Sequence, residues 1–292
     1  MSTEFLSRTD LYHGDFNCVM RNPDCEVDSG THYHDFYELQ FYFSNAGQIR
    51  VGDKHYALHY GDIALIGMFE KHTLFYSPGL YYNRFCISLD PSFIISACSD
   101  KSNLLSLFSR SNPSYPIYHL EDKDFRELLS ILYEYEQCRL THGQDIMHRA
   151  YLYMVLARLY DHFYDGQQVN QQDSQYITLL AKLIRFINEH LSEELSLDRL
   201  AAEVNFSTYH VCRIFKRYTG NTLTQYIITK RIDLAKYMLG QNMSITEVCQ
   251  SAGFNNYSYF YKTFHRLTGL SPAEYRELLP HSTEPKEQAV SY

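Results

Sequence analysis

Three histidines and a glutamate near the N-terminus have the residue types of a metal site. His32, His34 and Glu38 lie at H-x-H-x-x-x-E spacing, and His72 follows a Gly61-Asp62 pair. In an extended strand the first three share one parity, and Gln40 and Tyr42 continue the same face. Three imidazoles and a carboxylate suit a borderline divalent ion such as Mn, Fe, Ni or Zn. Near the C-terminus the chemistry is different. Tyr209, Cys212, Arg213, Lys216 and Arg217, and later Tyr257, Ser258, Tyr261, Lys262 and Arg266, place polar side chains ahead of cations. On a helix, that order suits nucleic acid: base edges first, phosphates further on.

The elements that must position these two sets differ in texture. Segments such as Glu38–Phe43, Gln48–Val51, His55–Leu58 and Ile63–Ile66 are short, rich in Tyr, Phe, Ile and Val, and punctuated by Gly47, Gly52 and Gly61-Asp62. Short strands with regular turns predict a sandwich or barrel. Leu120–Leu140 and Ile146–Phe163 then show helical spacing of apolar residues, joined by Thr141-His142-Gly143, which predicts an antiparallel hairpin. DGQQVNQQD, Asp165–Asp173, has no apolar period and reads as a linker. The remainder is helical nearly to Pro280, and the tail 281–292 is expected to be disordered.

The helical part contains a repeat. Residues 196–220, SLDRLAAEVNFSTYHVCRIFKRYTG, align with 244–269, SITEVCQSAGFNNYSYFYKTFHRLTG. Phe206 matches Phe254 at an offset of 48, and Phe215, Arg217, Thr219 and Gly220 match Phe264, Arg266, Thr268 and Gly269 at 49. The slip falls in a turn, where insertions cost least. Each copy reads as helix–turn–helix: Ser196 or Ser244 caps a first helix, a short turn follows, and an amphipathic second helix keeps its apolar side inward. A single copy could be an ordinary helical pair with a solvated charged face. Two aligned copies joined by a long helix, Leu223–Leu239, argue for a DNA reader.

Composition agrees with this division. The 292 residues carry a net charge of −8 and are 45% hydrophobic, which supports real cores. Residues 1–173 hold 13 Lys/Arg against 23 Asp/Glu, whereas 174–280 hold 12 against 9. An acidic front and a mildly basic back suit modules with different partners. Cys18, Cys25, Cys86, Cys98, Cys138, Cys212 and Cys249 are scattered, which fits a reducing cytoplasm and neither a disulfide framework nor a zinc finger. No run has the length of a membrane span, and the N-terminus lacks a signal-peptide layout, so a cytoplasmic protein is expected.

The C-terminal stretch Gly253–Arg276, GFNNYSYFYKTFHRLTGLSPAEYR, resembles the AraC-type DNA-binding domain. It keeps Gly253-Phe254, Tyr259-Phe260, Phe264, Gly269, Ser271-Pro272 and Tyr275-Arg276. It departs at His265, where the family commonly has Lys. The resemblance implies that Tyr209, Cys212 and Arg213 approach bases in one major groove. Tyr257, Ser258, Tyr261 and Lys262 would approach the next, with Lys216, Arg217 and Arg266 on phosphates. It also implies a regulator, usually an activator, that binds double-stranded DNA, works with RNA polymerase and answers a small-molecule effector.

The N-terminal pattern resembles the cupin barrel, whose metal-binding members use three His and one Glu. GDIALIGMFEKH, however, lacks the proline usual before the final histidine. The expectation is therefore a sensor with no metal, no cofactor and no catalysis. His32, His34, Glu38, Tyr42, His72, Tyr82 and Arg84 would line a pocket for a polar effector such as a sugar. The alternative is a dioxygenase-like cupin metalloenzyme carrying a helical domain. The expected layout is a cupin-like, all-β sensor with a dimerising helical hairpin at 1–164, a linker at 165–173, an all-α double helix-turn-helix reader at 174–280 and the tail. The hairpin offers more apolar positions than one barrel face can cover, which points to a homodimer.

Overall fold

The computed structural model describes residues 16–21, 30–45, 47–75, 84–99, 101–110, 112–164, 171–241 and 243–279. The expected tail, most of the expected linker and Tyr82 lie outside the described residues.

The N-terminal part is two antiparallel sheets. Strands β1 (Phe16–Arg21), β2 (Tyr37–Tyr42), β5 (Asp62–Ile66), β7 (Arg84–Leu89) and β8 (Ile117–His119) form one, in the order β1-β7-β2-β5-β8. Strands β3 (Gly47–Val51), β4 (Lys54–Leu58) and β6 (His72–Phe75) form the other, in the order β4-β3-β6. Strand β2 shows how the alternation of side chains divides the interior. Tyr37, Leu39 and Phe41 join the core that the large sheet shares with the helices. Tyr42 packs with Ile49, Val51, Leu58, Ala64, Ile66 and Leu74 between the two sheets. Glu38 and Gln40 have the parity of Tyr42, so they enter that inter-sheet space too.

Helix α1 (Pro91–Ala97) follows β7, with Asp90 accepting from Ser92 N as its cap. Helices α2 (Asp122–Gln137) and α3 (Gln144–His162) form the hairpin expected from periodicity, entered through Gly143 at φ 78°. Phe125, Leu128, Ile131 and Leu132 of α2 and Leu152, Val155, Leu156 and Leu159 of α3 are buried. Tyr133, Ile146 and Met154 remain exposed.

The C-terminal part has seven described helices: α4 (Gln171–Glu189), α5 (Leu197–Val204), α6 (Thr208–Thr219), α7 (Leu223–Leu239), α8 (Ile245–Ser251), α9 (Tyr257–Thr268) and α10 (Pro272–Leu278). Helix α4 starts three residues inside the expected linker. Glutamine is a competent helix former, so a polar run without apolar period still joins a helix once its next turns pack. Helix α4 packs on α1, and one continuous core runs from the large sheet through α4 to α5, α6 and the first half of α7. The second half of α7 belongs to a separate core with α8, α9 and α10.

Candidate DNA interface and sensor site

Both repeat copies fold as helix–turn–helix, and their caps match position by position. Ser196 and Ser244 accept from the third helical N–H of α5 and α8, and Glu247 completes a capping box at the latter. Ser207 and Asn256 do the same for α6 and α9. Gly220 and Gly269 end those two helices in the left-handed region, at φ 76° and 78°. The turns differ. Asn205 takes φ 57° in the first, while Gly253 takes φ 84° in the second. A Cβ on Gly253 would lie 2.4 Å from Leu191 O, so this turn needs glycine for space as well as for φ.

Burial sorts the two second helices as a reader requires. Val211, Ile214 and Phe215 anchor α6, and Phe260, Thr263 and Phe264 anchor α9. Tyr209, Arg213, Lys216 and Arg217 are exposed on α6, with Tyr209 at 78%, while Cys212 is half-buried against the core. Tyr257, Ser258, Tyr259, Tyr261, Lys262, His265 and Arg266 are exposed on α9. The reader residues predicted for each copy therefore share one helix and one solvent-facing side, Cys212 least so. Arg217 has a second environment, over the Tyr218 ring at 5.6 Å and on the wall of a cleft.

That cleft, of about 850 Å³, lies between the sensor and α6. Its walls include Tyr33, Tyr37, Glu70, Arg110 and Tyr115 on one side and Arg217, Tyr218, Asn221 and Gln225 on the other. Glu70 pairs with Arg110 at 2.8 Å and accepts from the Tyr115 hydroxyl. Beside the cleft the two parts are tied directly. Lys230 Nζ of α7 lies 2.9 Å from Asp35 Oδ2 and 3.0 Å from Asp90 Oδ2. Burial alone would raise the Asp35 carboxyl, but Lys230 holds it below its ordinary value. Burial would likewise lower the Lys230 ammonium, but Asp35 and Asp90 hold it well above its own. The Tyr37 hydroxyl also donates to Tyr218 O at 3.4 Å.

The predicted histidine cluster forms, with a correction to its backbone. His32 and His34 precede β2 in irregular chain, and His32 meets His72 through a single β-bridge. The strand parity inferred from His32 onward therefore holds only from Glu38. Glu38 Oε2 lies 3.2 Å from His34 Nε2 and 3.4 Å from His72 Nε2, and it accepts from Gln40 at 2.9 Å. Burial alone would raise the Glu38 carboxyl, but the two histidines hold it well below the usual carboxylate range. The ligand atoms of His34, Glu38 and His72 all fall within 4.8 Å of one another, so this donor set fits a metal ion. His32 is not part of that convergence, although its ring centroid is 4.1 Å from that of His72. Tyr42 donates to Gln40, and Arg84 lies at the start of β7, buried, with Nε 3.3 Å from Cys86 Sγ. None of the predicted pocket residues that the structure describes lines the cleft.

The family pattern described as "Helix-turn-helix domain" matches residues 200–278, which span most of both units. The chain is 27% identical over 264 residues to the HTH-type transcriptional activator RhaR of Escherichia coli strain K12, covering 85% of this chain and 86% of that protein. RhaR of Shigella dysenteriae matches over the same shares. The whole fold is similar to a single-site variant of apo ToxT from Vibrio cholerae, with a TM-score of 0.58 at 12% identity over 91% of this chain and 98% of that one. ToxT with a bound unsaturated fatty acid gives a TM-score of 0.56 at 13% identity, over 92% and 97%. The chain is thus similar over most of its length to HTH-type transcriptional activators and carries a helix-turn-helix domain at residues 200–278.

These likenesses support a DNA-binding transcription regulator with a β-rich N-terminal domain, and the relatives named above are transcriptional activators. Among the described residues no helix is long and apolar enough to cross a membrane. Sequence reasoning missed the ties between the chain's two parts, Asp35, Asp90 and Lys230, and the cleft residues Glu70, Arg110 and Tyr115. Only Asp90 had a local signal, standing as a cap before Pro91-Ser92.

Proposed function

We propose that α6 and α9 read adjacent major grooves of double-stranded DNA while the sensor cleft takes a small polar effector. The observation that carries this reading is the matched pair of second helices, capped, terminated and buried at equivalent positions with their cationic faces outward. Arg213 and Lys262 are the strongest base readers, since both suit guanine, each contact being worth about 1–3 kcal/mol of discrimination. Tyr209, Cys212, Tyr257, Ser258 and Tyr261 add weaker contacts and shape readout. Lys216, Arg217 and Arg266 hold phosphates.

The cleft, with tyrosine hydroxyls, two guanidinium groups and a carboxylate, suits a polar hydroxylated molecule such as a sugar. An effector that bridges Arg110 and Arg217 would draw a phosphate-contacting residue toward the sensor, giving the differential affinity that any switch needs. The exposed Tyr133, Ile146 and Met154 of the hairpin suit a homodimer in which two chains occupy neighbouring DNA sites. Residues 1–164 act as the sensor and 174–280 as the reader, in the cytoplasm, where the complex would activate RNA polymerase.

Selection of the purified protein against random DNA at about 150 mM salt tests the reading, since phosphate contact alone fades with salt. The expected motif has two sub-sites about 10 bp apart, and Arg213→Ala relaxes one of them. Binding that stays non-specific overturns it. A thermal-shift screen of sugars then identifies the effector, which at about 100 times its dissociation constant adds ~2.7 kcal/mol.

A further inference from the structure

Helices α6 and α9 match in their caps and cores but not in the make-up of their outer faces. At the 49-residue offset, Thr208, Tyr209, Cys212 and Arg213 of α6 correspond to Tyr257, Ser258, Tyr261 and Lys262 of α9. In α6 the first and third of these offer little apolar surface. The Thr208 hydroxyl donates to Asp198 Oδ1 at 2.8 Å, and Cys212 is half-buried against the core. In α9 the same two places hold aromatic rings, with Tyr257 45% and Tyr261 41% exposed. Those rings are held in place. Their centroids are 6.5 Å apart, and Tyr257 meets Phe260 of the unit's core edge-on at 6.4 Å. A side chain with only two torsions, so supported, gives up little freedom when it is covered.

Half-exposed rings on the N-terminal half of a reading helix need an apolar partner to cover them. The major groove displays donors, acceptors and one methyl, the 5-methyl of thymine. Lys262 follows Tyr261 directly and Arg266 lies one turn further, so the rings stand beside the exposed cations that suit base edges and phosphates. The ring spacing of 6.5 Å is nearly two base-pair steps of ~3.4 Å, so the two rings reach different base pairs. The hydroxyls add little discrimination, because a phenol both donates and accepts and can satisfy the edge of any base.

We propose that Tyr257 and Tyr261 make α9 a reader of thymine methyl groups, at base pairs beside the guanine read by Lys262. Helix α6 reads guanine through Arg213 with no equivalent pair of rings. This deepens the function proposed above and rests on α9 lying in the major groove. The two heads then recognise different chemistry: hydrogen-bonding edges at the first, and methyl groups as well at the second. Uracil keeps the base pair and the O4 acceptor of thymine and lacks only the methyl, so at the second sub-site it is read as a wrong letter.

The test uses the full chain and the operator selected from random DNA, with each thymine replaced in turn by deoxyuridine. The sub-site that Arg213→Ala leaves intact is that of α9. Each replacement of a contacted thymine there is expected to weaken binding about fourfold, the effect of losing one buried methyl. Tyr257→Ser and Tyr261→Ser are each expected to abolish the preference at one position, so that the thymine and uracil duplexes bind alike. Tyr261→Phe is expected to keep it, since the ring and not the hydroxyl does the reading. Circular dichroism establishes that the variants are folded, and the uracil series on the unaltered chain needs no variant. A specific motif whose second sub-site lacks thymine, or loses nothing with uracil, overturns this proposal and leaves DNA reading intact. A methyl preference that survives in both serine variants, or is lost in Tyr261→Phe, overturns it too. Binding with no sequence preference overturns the DNA reading itself, and this proposal with it.

Discussion

The two helix-turn-helix units share caps, terminating glycines and burial pattern, yet they stand in different mechanical positions. The first is continuous with the sensor: Leu200, Val211, Ile214 and Phe215 belong to the same core as the large sheet. The second is built around Phe254, Phe260, Phe264 and Tyr275, a core of its own. Among the described residues, only the first unit lies against the cleft and beside the Lys230 ion pairs. Similar DNA-reading surfaces can thus be given different regulatory exposure by what lies behind them. Under the proposed function, a ligand in the cleft would act on the first reader directly, and the second would supply steady affinity.

The sharpest way to break this contrast is to hollow each core. Phe215 and Phe264 occupy equivalent places, both with 0% exposure, and truncation to alanine should cost about 3–5 kcal/mol in each case. Phe215→Ala is expected to lower the melting temperature of sensor and reader together. Phe264→Ala is expected to unfold α8–α10 alone, seen as fast hydrogen exchange there against an unchanged sheet. If both variants melt the chain as a unit, the separation of cores has no energetic meaning.

A smaller effect compares the caps. Ser207→Ala and Asn256→Ala each remove a side-chain acceptor, worth about 1 kcal/mol. Because α6 is also held by the sensor, urea titration should show the smaller loss of DNA-competent protein for Ser207→Ala. The smallest effect concerns phosphates. Lys216 and His265 are equivalent, and an ammonium brings more charge than an imidazole near neutral pH. Lys216→Ala should reduce the slope of log K against log salt by ~0.9, and His265→Ala by less. Equal changes would mean that both positions contact DNA alike.

How much of this was legible in the sequence follows from range. The helix-turn-helix units could be read because everything that specifies them is local: Ser196, Ser207 and Ser244 as caps, and apolar residues at helical spacing. Asn256, which caps α9, was not read as a cap, although asparagine is itself a preferred cap residue. The hairpin and the parity of Glu38, Gln40 and Tyr42 were readable because they too are local. His32 and His34 were not, because an alternating pattern cannot tell where a strand begins, and β2 starts only at Tyr37. The Lys230–Asp90 pair spans 140 residues and leaves no periodic trace. The cleft was invisible because its walls come from two domains, each ordinary when read alone.

Helix α7 has a consequence for evolution. Its first half lies in one core and its second half in the other. Its 17 residues make a rod about 25 Å long. The distance and phase between the two reading heads are therefore written in one rigid element. Inserting a single residue there would rotate one head by about 100° relative to the other and take it off the groove. Descendants of this chain can change the letters of their operator one side chain at a time, but the spacing between its halves is inherited whole.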